Sequence, residues 1–102
     1  MKNYTGSDLG QDFKDFFIRE RRRITKVLTS LECENIVMSR QFYYFYGYFT
    51  TKSGKKYYFS CSDVRHFAYT RLLYREVENY GDYRGGENQY VNNNELKNIK
   101  IA

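Results

Sequence analysis

The segment QFYYFYGYFTTKSGKKYYFS, residues 41–60, holds ten of the chain's 20 aromatic residues, which comprise 12 Tyr and 8 Phe. Rings and Thr at this density favour extended backbone. The KSGK stretch, residues 52–55, turns the chain, with Gly54 able to take a positive φ. The segment therefore reads as a hairpin over 42–61. A two-residue loop at Ser53 and Gly54 would set Thr51 opposite Lys56, Phe49 opposite Tyr58 and Tyr48 opposite Phe59. One sheet face then carries Phe42, Tyr44, Tyr46, Tyr48, Tyr57 and Phe59, and the other Tyr43, Phe45, Phe49 and Tyr58 around a gap at Gly47. A three-residue loop would slide this pairing. The face with Phe45, Gly47 and Phe49 reads as core, since its glycine lets a helix approach. The face with three alternating Tyr reads as the presented one, unless a second helix covers it and leaves no platform.

An amphipathic helix precedes the hairpin. Phe13, Phe16, Phe17, Ile24, Val27, Leu28 and Leu31 recur at three- and four-residue spacing behind a cap at Ser7 or Asp8. Glu20 falls inside this stripe and is expected to pair with a neighbouring Arg. The RERRR run, residues 19–23, reads as a solvated helix face ahead of a nucleic-acid patch.

After the hairpin, Ser62 or Asp63 caps a second expected helix, about 63–78, whose stripe of Val64, Phe67 and Ala68 loses phase at Tyr69. A further strand at RLLYREV is the alternative. From Tyr80 the chain becomes a Gly/Asn-rich loop with Tyr83 and Tyr90, and ELKNIKIA reads as an edge strand or a fraying tail. The fold class is α+β: an N-terminal amphipathic helix on a small, aromatic-rich antiparallel sheet, a second helix and a C-terminal loop. Residues 1–102 form one domain, loosest at 1–6 and 92–102.

Several activities find no support. His66 is the only histidine, SCSD reads as a helix cap, and RGGEN is neither a P-loop nor a dinucleotide fingerprint. The expectation is a protein that is no enzyme and needs no cofactor. Cys33 and Cys61 are too few for a zinc site or a disulfide framework and read as reduced thiols, a single bridge between them being the alternative. The amino terminus lacks the apolar run of a signal peptide, and no stretch approaches the ~20 apolar residues of a membrane helix, so a cytoplasmic location is expected.

Charge supplies the functional expectation. Residues 35–75 carry Arg40, Lys52, Lys55, Lys56, Arg65, Arg71 and Arg75 against Asp63 alone, while the whole chain is +5. The aromatic segment is thus also the basic one. Grooves for single-stranded nucleic acid combine cations for phosphates with rings for bases. The candidate site is Tyr44, Tyr46 and Tyr48 for stacking, with Lys52, Lys55, Lys56, Arg65, Arg71 and Arg75 for phosphates; no membrane partner is expected. The alternative is a protein-interaction or inhibitor module, such as a phage or plasmid accessory protein, or a homodimer built on an exposed hairpin edge.

Overall fold

The computed structural model describes residues 9–41, 44–61, 71–82 and 84–101, with side chains of the first helix described from Lys14 onward. Leu9–Ser30 forms helix α1. Phe16, Phe17, Ile24 and Leu28 of the expected stripe are buried, and Val27 and Leu31 pack partly against them. The Phe13 side chain and the cap at Ser7 or Asp8 lie outside the described residues. The helix closes with the Cys33 N–H on the Leu28 carbonyl and the Glu32 N–H on the Thr29 carbonyl, both 2.9 Å. This paired closure places Glu32 at a left-handed φ of 65°, the position glycine usually fills.

Five antiparallel strands follow in chain order: β1 (Glu34–Gln41), β2 (Tyr44–Thr50), β3 (Lys56–Cys61), β4 (Arg71–Val77) and β5 (Gln89–Asn92). The hairpin is present, but its loop is one residue longer than the two-residue form. Thr51 donates its N–H to the Lys55 carbonyl at 2.8 Å, Gly54 donates to the Thr51 carbonyl at 2.9 Å, and Gly54 has a φ of 91°. The Thr51 hydroxyl also accepts the Lys55 N–H at 3.2 Å. A three-residue loop ending on a left-handed glycine is a standard alternative to the two-residue turn.

The register therefore shifts by one: Phe49 faces Tyr57, Tyr48 faces Tyr58, and Gly47 faces Phe59. Because side chains alternate with a period of two, that single step turns β3 over. Tyr57 and Phe59, expected beside the tyrosines, are in the core; Tyr58, expected in the core, is on the outer face. The assignment of β2 stands, with Phe45 and Phe49 fully buried and Tyr44, Tyr46 and Tyr48 only half-buried. Phe42 and Tyr43 lie outside the described residues.

Gly47 leaves room for a ring rather than for a helix. A Cβ placed there would meet the Phe59 ring at 2.6 Å and 2.8 Å and collide with the Val37 carbonyl. The Phe59 ring fills the missing side chain's place across the strand pair. Phe45 meets Phe16 and Phe17 of α1 at centroid distances of 6.3 Å and 5.8 Å, and Phe49 stacks on Tyr57 at 5.4 Å. The aromatic core is thus continuous from helix to sheet.

The expected second helix is corrected over residues 71–77, which form β4; residues 62–70, with its cap and Val64, Phe67 and Ala68, lie outside the described residues. Leu72 and Tyr74 alternate into the core, and Phe59 pairs with Tyr74. The loss of helical phase at Tyr69 precedes a period-two pattern. In β5, Val91 turns inward opposite Leu72.

Residues 92–101 carry a 3-10 helix, Asn93–Asn98, whose Leu96 is buried, followed by buried Ile99. Asn92 caps it by accepting the Asn94 N–H at 2.9 Å. The Arg23 guanidinium donates to Glu20 Oε1 at 2.7 Å and 2.9 Å and to the Asn93 carbonyl at 2.9 Å. Glu20 has the arginine partner its place in the stripe requires, and the same arginine ties α1 to the C-terminal segment. Tyr74 Oη accepts the Lys100 N–H at 3.0 Å.

Two substitutions test this account by urea denaturation. Gly47→Ala forces the Phe59 ring aside and is expected to cost roughly 1–3 kcal/mol. Glu32→Gly relieves the left-handed strain and is expected to add about 1 kcal/mol. An unchanged midpoint for Gly47→Ala would show that Phe59 does not hold the register.

Candidate functional site

The sheet face away from α1 is built from rows of outward side chains that run across the strands. One row is Val37, Tyr48, Tyr58 and Arg75; the next is Ser39, Tyr46, Ser60, Leu73 and Tyr90. A third places Gln41 opposite Tyr44, and Arg71 opposite Asn92. The neighbouring rings form a ladder, with centroids 6.2 Å apart for Tyr44 and Tyr46, 6.3 Å for Tyr46 and Tyr58, and 5.4 Å for Tyr58 and Tyr48. Tyr80, from the turn after β4, extends it by stacking on Tyr48 at 5.2 Å and 22°.

Tyr80 is anchored at its far end. Its hydroxyl donates to the Asn35 carbonyl at 2.8 Å and sits 2.8 Å from the Thr50 hydroxyl. The ladder therefore leads into a loop that is tied back to both β1 and β2. Burial, then the neighbouring Tyr58, pushes the Tyr48 hydroxyl above its ordinary pKa, against a hydrogen bond with the Gly81 backbone. At neutral pH this hydroxyl keeps its proton.

Beside the ladder lies a cleft of about 430 Å³, bordered by Val37, Ser39 and Gln41 of β1, the three tyrosines of β2, Tyr58 and Gly81. Gly47 adds backbone to its floor. Among the described residues its lining includes no charged side chain. The volume is within the range of roughly 300–1,000 Å³ usual for small-ligand sites.

The expected cations are distributed around this face. Lys56 and Arg75 share its outward register, Lys56 opposite Thr50 and Arg75 opposite Tyr58. The Arg75 Nε donates to the Gly86 carbonyl at 3.0 Å, and Nη2 bonds the same oxygen. Arg71 lies 4.7 Å over the Tyr90 ring on the β5 side. Lys52 and Lys55 stand off at the hairpin turn, where Lys52 pairs with Glu32 at 2.9 Å and Lys55 with Glu76 at 3.9 Å. Arg65 lies outside the described residues.

The structure thus brings Tyr44, Tyr46, Tyr48, Lys56, Arg71 and Arg75 to one face and sets Lys52 and Lys55 apart from it. Sequence reading missed Tyr58, which the correct loop length would have turned outward, and Tyr80, for which strand periodicity carries no signal. Ser39 and Gln41 read only as a polar interruption. Asp82 contributes negative charge near Arg75; the Arg84 backbone N–H, then the Arg84 and Arg75 charges, hold its carboxyl below the usual range despite slight desolvation.

Among the described residues no three His, Cys, Asp or Glu side chains gather as a metal site, and no helix is long and apolar enough to cross a membrane. Cys33 and Cys61 are unpaired and buried. Burial, reinforced by the Glu20 carboxylate and opposed by Arg23, pushes the Cys61 thiol up to about 12. Burial also raises the pKa of Cys33. Neither thiol is poised as a nucleophile.

Compared with protein families, with curated proteins and with solved structures, the chain finds no match. Among the described residues the fold and the site define an α+β domain of one α-helix on a five-stranded antiparallel meander, with a tyrosine ladder on the sheet's opposite face.

Buried thiols make a direct prediction. An aromatic disulfide reagent at pH 7 should label neither Cys33 nor Cys61 at the rate of a free thiol, and should label both after denaturation. Because the folded Cys61 binds its proton more tightly than the unfolded one, its contribution to stability is complete below the ordinary thiol pKa of about 8.5. That contribution is lost as pH rises from there toward about 12. Rapid labelling of native protein at pH 7 would contradict this burial.

Proposed function

We propose that the protein binds single-stranded nucleic acid through the outer face of its sheet. The observation that carries the reading is the tyrosine ladder, whose half-buried rings lie in register with Lys56 and Arg75. Stacking of a base on an aromatic side chain contributes about 1–3 kcal/mol and tolerates any base, while nearby cations hold the backbone. Tyr44, Tyr46, Tyr48 and Tyr58 supply the rings. Lys56, Arg71 and Arg75 supply charge on the face itself. Lys52 and Lys55 reach phosphates farther along the strand, because their carboxylate pairs are exposed and worth little in water.

Three phosphate contacts from Lys56, Arg71 and Arg75 correspond to a slope of about −2 in log affinity against log salt for a single strand. The test is fluorescence anisotropy of nuclease-treated, salt-washed protein with labelled single-stranded RNA, single-stranded DNA and duplex DNA, from about 50 to 200 mM salt. The expected result is micromolar or tighter binding to single strands, weakened about 5- to 100-fold by Tyr46→Ala or Tyr58→Ala. Lys55→Glu with Lys56→Glu should weaken it further at low salt. Failure to bind any of the three at low salt would overturn the reading.

One observation favours a protein partner instead: the described cleft lining is uncharged, and Val37, 49% exposed, stands at its β1 border. On that reading the protein is an interaction or inhibitor module, of phage or plasmid origin, or a homodimer; β1 and β4 cover the hairpin edges expected to pair, so a homodimer would pair along the β1 edge instead. Binding of this kind would change little with salt.

A further inference from the structure

Ser39 and Gln41 stand two residues apart on the outward side of β1, opposite Tyr46 and Tyr44, and both border the cleft. The Tyr44 hydroxyl donates to Gln41 Oε1 at 3.1 Å. That bond commits the carbonyl end of the carboxamide and leaves its NH2 group as a donor to whatever enters. Ser39 is exposed, and its hydroxyl can donate as well. The cleft thus combines aromatic walls with two donors along one strand and, among the described residues, no charge in its lining. Such a site suits a neutral, planar group rather than a phosphate.

Resting on the single-strand reading above, we propose that this cleft seats one unstacked base against Tyr46 and reads its edge with Gln41 and Ser39, preferring uracil or thymine. The preference follows from donor and acceptor matching. Residues two apart on a strand are about 7 Å apart along the backbone. Donors at that spacing, converging through a carboxamide and a hydroxyl, suit a ring that presents two carbonyl oxygens on either side of one imide N–H. Adenine presents an amino group beside a ring nitrogen, so it satisfies the pair only in the one orientation that sets the amino group on the Ser39 hydroxyl, which also accepts, and the ring nitrogen on the Gln41 NH2, whereas uracil and thymine offer an acceptor to each donor either way round. Cytosine and guanine each offer a mixed edge that satisfies the pair in part. Sequence-selective recognition of single strands commonly takes this form, with a splayed base stacked on a ring and hydrogen-bonded at its edge.

The preference is measured by anisotropy with short homopolymers of uridine, thymidine, cytidine and adenosine nucleotides at one fixed salt concentration. Uridine and thymidine polymers are expected to bind about tenfold more tightly than adenosine polymers. Gln41→Leu should reduce that ratio to about twofold or less, while Tyr46→Ala should weaken every polymer together. The adenosine strand's own stacking is common to wild type and variant, so the change of ratio on Gln41→Leu isolates the reading contact. Equal affinity for all four polymers would overturn the selectivity and leave the stacking platform standing. A preference that survives Gln41→Leu combined with Ser39→Ala would overturn the assignment of these residues. No binding to any polymer would remove both the selectivity and the reading beneath it.

Discussion

The contact on which the architecture depends is the Phe59 ring lying where Gly47 has no side chain. It accepts only one pairing of β2 with β3, since a shift by a single residue would put the ring outside and leave a void beside Phe49. With that pairing set, Phe45 meets α1 and Phe49 stacks on Tyr57 in the core, while Tyr44, Tyr46 and Tyr48 face the other side of the sheet. The separation of phenyl from phenol across one strand creates both a dry core and a face whose hydroxyls remain near water. Buried phenols would each need a partner, and Tyr74 finds one in the Lys100 N–H.

The outer face divides its labour by position. Its centre, the cleft beside the ladder, is neutral and aromatic, and its cations stand to one side at Lys56, Arg71 and Arg75. Among the described residues, a basic segment of the sequence therefore does not become a basic pocket. Arg75 is tied to the Gly86 carbonyl and Arg71 rests on Tyr90, so both guanidinium groups are held in place rather than sweeping through solvent. Arg23, drawn from the most basic stretch of α1, joins helix to tail instead of facing a ligand.

Much of this was legible in the residues. The spacing of Phe16, Phe17, Ile24 and Leu28 defines α1, and the alternation of Phe45, Gly47 and Phe49 with tyrosine identifies the core side of β2. The loss came where one local choice propagates. Thr51 closes a three-residue loop through backbone and hydroxyl bonds that KSGK alone does not specify, and every side chain of β3 changes face with it. Arg71–Val77 misled for another reason. Leu72 and Leu73 fit a helical stripe with Tyr69 and Tyr80 in the sequence, and only the pairing with β3 makes the strand the better use of them. Periodicity gave no sign of Tyr80's place on this face, because that place comes from a turn and three distant partners, Tyr48, Thr50 and Asn35.

The meander and the arginine link impose an order on assembly. Each strand pairs with its neighbour in the chain, so the sheet can grow by short-range closures that lose little entropy. The Arg23 bond to Asn93 spans 70 residues and joins the first element to the last. It cannot form at little entropic cost until the strands between have shortened the path. Arg23 should accordingly contribute little to the folding rate and mainly retard unfolding, acting as a latch on a finished structure rather than as part of its nucleus.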